Sequence, residues 1–357
     1  MAVKEAGPFA QALDRRVTEG ALGTLYEKLP DNKVRCYACA HQCLILDGLR
    51  GICKVRYNQG GTLLVPHGYV GALQCDPTEK KPFFHVFPGS DALTMGMLGC
   101  DLHCSYCQNW VTSQALRDPG ALSEPMDVSP RQLVDIAQRY DAKLVATSYN
   151  EPLITSEWAV DVFKEAKRRG FTTAYISNGN ATRQVLEYIR PWTNCYKIDL
   201  KSMRDKNYRS LGGKLENILN GIRMVHEMGF WLEIVTLTIP GFNDSDEELG
   251  DIATFLAGIS PAIPWHVTAF HKDYKMLDPD NTPAETLIRG AKLGEAAGLQ
   301  YIYAGNLPGR VGEYENTRCP RCQTTLIRRF GYRILEDRLS GSGRCFSCGN
   351  SIPGVWN

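Results

Sequence analysis

The stretch Thr94-Met-Gly-Met-Leu-Gly-Cys100-Asp-Leu-His-Cys104-Ser-Tyr-Cys107-Gln-Asn-Trp110 decides how the rest of the chain is read. A short apolar run with strand character ends in a glycine. Three cysteines follow, Cys100, Cys104 and Cys107, with three and then two residues between them. Thiolates that close together, on a loop leaving a strand, can hold one soft metal centre jointly. There are three of them, and no fourth cysteine lies nearby. A four-iron cubane held in this way keeps one iron without a protein thiolate, hence a position open to a small molecule. A structural site would normally have every position filled by protein.

Outward from this loop the pattern is regular. Apolar, strand-like runs occupy residues 93–98, 144–149, 172–177, 195–200, 231–239, 265–270 and 300–304. Helix-like stretches alternate with them. Ser129-Pro130 supplies a cap and a first-turn proline, Asp244-Ser245 precedes another helix, and Gly170 and Gly229 follow two more. Strands and helices alternating at this spacing imply parallel strands joined by right-handed crossovers. An open doubly wound sheet and a barrel both satisfy that. Polar residues recur at the C-terminal ends of the strands, where a barrel puts its chemistry, so a partial barrel is expected.

The loop itself resembles that of the radical S-adenosylmethionine (SAM) enzymes, Cx3CxφC with an aromatic residue at φ, here Tyr106. The resemblance implies a [4Fe–4S] cluster on Cys100, Cys104 and Cys107 and a partial TIM-type (β/α)6 barrel. It also implies that the open iron takes the amino and carboxylate groups of SAM. An electron from the cluster then splits SAM into methionine and a 5′-deoxyadenosyl radical.

Three strand ends fit that chemistry. In Ser148-Tyr-Asn150-Glu151-Pro152 an amide and a carboxylate suit an ammonium group. Ser177 and Asn178 suit ribose hydroxyls or a carboxylate, although an Asn-Gly turn needs no function. Asp199-Leu-Lys201 offers a carboxylate for a sugar hydroxyl and an ammonium for the methionyl carboxylate. Pyruvate formate-lyase activating enzymes resemble the chain at the Asn150-Glu151 and Asp199-Leu-Lys201 strand ends and at the Ile239-Pro-Gly-Phe-Asn-Asp244 segment, which in them lies along adenine. The likeness sharpens with the N-terminal cysteine group, Lys80-Lys-Pro-Phe-Phe-His-Val-Phe-Pro-Gly89 and Cys107-Gln-Asn-Trp110. Together these resemble the radical SAM member of the AmmeMemoRadiSam system. That implies hydrogen abstraction from a protein or peptide, an external electron donor, and Memo-type or AMMECR-type proteins as partners.

The remaining cysteines fall into two outer groups. Cys36, Cys39, Cys43 and Cys53 form a knuckle too short to bury a core of its own, so a bound metal is expected, zinc or an auxiliary iron–sulfur cluster, with His41 an alternative ligand. Cys319, Cys322, Cys345 and Cys348 form two CxxC pairs around a strand-forming segment, as in a zinc ribbon or rubredoxin-like knuckle, and zinc is expected there. The chain is accordingly read as a helical arm and knuckle (residues 1–62), a radical SAM partial barrel (63–310) and a C-terminal ribbon (311–357).

Composition bounds the alternatives. A formal net charge of +1 gives no field to attract nucleic acid, so a zinc-dependent nucleic-acid binder resting on Arg318, Arg321, Arg328, Arg329 and Arg333 is disfavoured. Thirteen cysteines without a signal segment, and no apolar run able to span a bilayer, point to metal ligation in a cytoplasmic protein rather than disulfides. A different class remains open: an iron–sulfur electron-transfer or metal-binding protein without SAM chemistry. It has no use for Asn150, Glu151 and Lys201 around a vacant iron.

Overall fold

The expected apolar runs become neighbouring strands of one eight-stranded sheet in the computed structural model, which describes residues 8–339, 341 and 343–356. In chain order these are β1 (Ala72–Pro77), β2 (Asp91–Gly96), β3 (Leu144–Thr147), β4 (Thr172–Ser177), β5 (Cys195–Asp199), β6 (Trp231–Thr238), β7 (Trp265–Ala269) and β8 (Ile302–Gly305). Their spatial order follows the chain order from one edge to the other. β1 runs antiparallel to β2, and every later pairing is parallel. The fold is thus α/β with a mostly parallel central sheet. In register, Val145 lies between Leu93 and Thr173, and Tyr175 lies beside Tyr196 with stacked rings 5.7 Å apart.

Parallel strands need crossovers, and helices supply them. They are α1 (Pro130–Arg139), α2 (Ser156–Arg168), α3 (Arg183–Ile189), α4 (Leu215–Glu227), α5 (Asp246–Ile259) and α6 (Ala284–Ala296). Ser129 caps α1 in a reciprocal box with Gln132, and Ser245 caps α5 through the Glu248 amide. Gly170 and Gly229 take left-handed φ of 82° and 74° just past α2 and α4, as their positions in the sequence suggest. Strands covered on the helix side read as continuous apolar runs; all four residues of β3 are buried. Because the strands are parallel, the segments after β2, β3, β4 and β5 all leave the same edge of the sheet, which gathers the polar residues noted above.

The N-terminal region departs from expectation. A helix spans only Pro8–Asp14. Instead of a helical arm, short strands follow at Val17–Glu19, Tyr26–Leu29 and Lys33–Cys36. Thr62–Pro66 pairs with both Tyr57–Gln59 and Val17–Glu19, so a strand beyond residue 62 completes the N-terminal sheet. At the other end, Thr317–Arg318, Thr325–Phe330 and Arg333–Asp337 make a three-stranded antiparallel sheet. It shares a core with the rest: Phe84, Tyr301 and Tyr303 pack with Cys319, Leu326, Ile327 and Cys345. All thirteen cysteines are free thiols. No helix among the described residues is long and apolar enough to cross a membrane.

Candidate active site

The loop after β2 turns sharply at Gly99, whose φ of 93° suits glycine, and a Cβ there would lie 2.7 Å from Val55 Cγ1. Its three cysteines line one cavity of about 630 Å³, within the range of small-molecule sites. Cys104 and Tyr106 pack with Leu211, Ile239 and Phe270, and Tyr106 meets Phe242 edge-on at 5.7 Å. The thiols are not isolated. The Leu102 amide approaches Cys100 Sγ at 3.4 Å, and Ser113 Oγ lies 3.1 Å from Cys107 Sγ. Burial, reinforced by Asp101 and Glu151, pushes the Cys100 thiol well up, and burial takes Cys104 to about 12. A metal centre that binds these thiols as thiolates displaces their protons, so metal binding there is coupled to proton release.

Glu151 is the node of the next strand end. Its Oε1 accepts from Ser177 Oγ at 2.7 Å and from the Leu153 amide at 3.1 Å; its Oε2 accepts from the Asn178 amide at 2.8 Å. These bonds join the ends of β3 and β4. Burial, then the nearby Asp101, raise this carboxyl to about 8. Asn150 is fixed beside it, with Oδ1 accepting from the Met97 amide at 3.0 Å. Asn178 does not point its amide at open space: Nδ2 donates to Asp101 Oδ1 at 2.7 Å.

After β5, Lys201 Nζ lies 3.5 Å from Asp199 Oδ2, and Lys197 Nζ hydrogen-bonds Asp199 Oδ1. Against burial, which would raise it, the two ammonium groups hold the Asp199 carboxyl below its ordinary range, Lys197 first. Lys201 is desolvated, yet Asp199 and then Cys104 hold its ammonium well above the usual range. The Ile239–Asn243 turn is tied to the same spot, since Asn243 Nδ2 donates to the Lys201 carbonyl at 2.7 Å. Cys100, Cys104, Cys107, Tyr106, Asn150, Glu151, Ser177, Asn178, Asp199 and Lys201 thus all line the cavity.

Sequence reading missed Lys197 and His266 of this wall, and the buried Asp101 that holds Asn178. Asp101 is fully buried, its two oxygens held at 2.7 Å by Asn178 and Asn180. Lys197 carried a signal: it lies two and four residues before Asp199 and Lys201, the period of one strand face. His266 lines the cavity and bonds the buried Glu233 at 2.7 Å, a pairing between strands that no local pattern shows.

The outer cysteines differ from one another. The sulfurs of Cys319, Cys322, Cys345 and Cys348 all lie within 4.8 Å of each other, with 3.6 Å between Cys319 and Cys348 and between Cys322 and Cys345. The knuckle of Cys36, Cys39, Cys43 and Cys53 packs against the central loop. His41 Nε2 lies 3.2 Å from the Asp101 carbonyl.

Comparison with known proteins agrees with this geometry. The profile of the Radical SAM superfamily matches residues 96–256, so the chain carries a radical SAM domain and is a radical SAM enzyme. It is 35% identical over 330 residues to Uncharacterized protein MJ0808 of Methanocaldococcus jannaschii, covering 92% of this chain and 97% of that one. It is 26% identical to the isethionate sulfite-lyase activating enzyme of Oleidesulfovibrio alaskensis, over 56% of this chain and 66% of that one. With the pyruvate formate-lyase-activating enzyme of Clostridium pasteurianum it shares 24% identity over 50% of this chain and 80% of that one. A radical SAM domain implies a [4Fe–4S] cluster and SAM. The residues present fit both: three soft donors beside a cavity, with a carboxylate and an ammonium on its wall.

Proposed function

We propose that Cys100, Cys104 and Cys107 hold a [4Fe–4S] cluster with one iron open to SAM, and that the enzyme abstracts hydrogen from a protein or peptide. The carrying observation is that the three thiols, Glu151 and Lys201 face a single cavity of about 630 Å³. When bound, the cluster and SAM supply a 5′-deoxyadenosyl radical by one-electron cleavage of the sulfonium. The chain's own residues bind and orient. Among the described residues Glu151 Oε2 accepts one hydrogen bond, from the Asn178 amide, and so retains a lone pair for the cofactor's amino group. Lys201 pairs with its carboxylate, and Asp199, Ser177, Asn178 and Asn150 shape the pocket for its ribose and methionyl ends. Tyr106 packs the loop in place.

The protein or peptide substrate is supported by the activating-enzyme relatives, whose names give pyruvate formate-lyase and isethionate sulfite-lyase as the proteins they activate. We read the parallel sheet as a partial (β/α)6 barrel and the C-terminal four-thiolate set as a zinc site. The N-terminal cysteines, the 80–89 loop and Cys107-Gln-Asn-Trp110 favour the AmmeMemoRadiSam type, with Memo-type or AMMECR-type proteins as candidate partners and an external electron donor. The test is the variant C100A/C104A/C107A, reconstituted anaerobically with iron and sulfide and then given SAM and dithionite. Production of 5′-deoxyadenosine should fall below detection while circular dichroism stays near that of the wild type. Undiminished production would refute the assignment.

A further inference from the structure

The N-terminal knuckle is built onto the central cysteine loop rather than onto the periphery. The Cys53 carbonyl lies 3.2 Å from where a Gly99 Cβ would sit. Arg117 clasps both segments, donating to the Leu102 and Ile52 carbonyls at 2.6 Å each. His41 reaches the Asp101 carbonyl, and the Glu151 amide donates to the Gly99 carbonyl at 3.3 Å. Cys53 and Val55 share an apolar contact with Ile154, just beyond Glu151. One rigid connection therefore joins the knuckle, the central loop and the end of β3.

The knuckle thiols are also largely withdrawn from solvent. Cys36, Cys39 and Cys53 are each 7% exposed or less. A fully buried guanidinium, Arg56, lies near Cys36 and Cys53, anchored by two 2.8 Å bonds to Glu157. Three buried thiols and the half-buried Cys43, grouped on one short segment, are a donor set for a soft metal centre. Spacing distinguishes the three cysteine groups. Tetrahedral zinc, with bonds of about 2.3 Å, needs sulfurs ~3.8 Å apart, as the ribbon provides. Among the described residues, neither the knuckle nor the central loop brings three thiols within 4.8 Å, whereas the ribbon brings four. An iron–sulfur cluster spreads its thiolates wider than a single ion does.

We propose that Cys36, Cys39, Cys43 and Cys53 hold a second iron–sulfur cluster that passes electrons to the centre on Cys100, Cys104 and Cys107. The relay rests on the reading of that centre given above. A one-electron donor of low potential reduces the knuckle cluster, which returns to its oxidised state when the electron moves to the central cluster.

The test uses the full chain, reconstituted anaerobically and analysed for iron, zinc and sulfide, with Mössbauer spectra. C100A/C104A/C107A should retain about four irons of roughly eight, in a cluster spectrum. Zinc in their place, or no iron, overturns the proposal. Iron equal in the two proteins would confirm the knuckle cluster but overturn the central assignment and with it the relay. In C39S, about half of the wild-type iron should be lost, and limiting dithionite should reduce the central cluster more slowly than in wild type. An unchanged rate overturns the relay. Should C39S fail to fold, the triple variant still decides whether the cluster exists, because it leaves the knuckle untouched, and stopped-flow reduction of wild type decides the relay: the knuckle signal must be reduced before the central one, and the reverse order overturns it.

Discussion

In the C-terminal ribbon four sulfurs face one another across less than 4.8 Å; in the loop after β2 three sulfurs face a cavity shared with Glu151 and Lys201. The ligand atom is the same and its surroundings are opposite. The ribbon thiols are fed by turns of one small antiparallel sheet, so they converge on each other. The central thiols leave a parallel sheet at the edge where β3, β4 and β5 also end, so they meet other side chains instead. Closure comes from the local hairpin, and openness from the topology of the parallel sheet.

The largest effect that would sharpen this contrast is loss of the zinc proposed for the ribbon. Cys319 is fully buried, and C319A leaves three thiols for an ion that takes four. One zinc per chain should be lost, and the melting temperature should fall by on the order of 10 °C, because structural zinc contributes directly to folding. The central iron should remain. Metal analysis and calorimetry check this; loss of central iron along with the zinc would erase the distinction between a closed site and an open one.

Most of the fold was legible in the sequence for a physical reason. Strands covered by helices are apolar throughout, so β3 or β7 stands out from the charged helices around it. β1 did not stand out, because Gln74 and Asp76 sit on an edge strand that needs no full burial. Ala21, Leu25 and Leu29 recur at helical spacing in the N-terminal arm; yet of Tyr26–Leu29 only Tyr26 is fully buried, and pairing with Lys33–Cys36 decides the segment's conformation. In the site, cysteines and strand-end motifs were legible because local spacing carries their chemistry. Asp101 and His266 were not, since their partners, Asn180 and Glu233, are far away along the chain.

A smaller effect tests how far the open site differs electrostatically from a closed one. The Glu151 carboxyl, raised to about 8 by burial and then by Asp101, titrates near 4.3 in an unfolded chain. A raised carboxyl means that the fold prefers the protonated form. Its contribution is fully present below about pH 4.3 and is lost as pH rises through about 8. SAM-free wild type should therefore lose a few kcal/mol relative to E151Q between pH 5 and pH 8, since the amide cannot ionise. Urea unfolding of both proteins across that range measures the difference. Parallel profiles would mean that the Ser177, Asn178 and Leu153 donors offset the burial completely.

The smallest effect is on cofactor affinity, and it separates the two charges that make the central site a ligand site. A charge-assisted hydrogen bond contributes roughly 1.5–3 kcal/mol, so K201A and E151Q should each weaken SAM binding about tenfold to a hundredfold. They should not be equal. Lys201 is held charged by Asp199 and Cys104, so K201A removes a full ammonium. Glu151 is held toward its neutral form before the cofactor arrives, so E151Q resembles the resting state and should fall at the lower end. K201A is also readable structurally, because Asp199 keeps its hydrogen bond to Lys197 and is not left unpaired. Equilibrium dialysis of SAM against anaerobically reconstituted wild type and variants gives the affinities. Affinities unchanged in both variants would place SAM away from this wall, and the central loop would then differ from the ribbon only in lacking a fourth thiol.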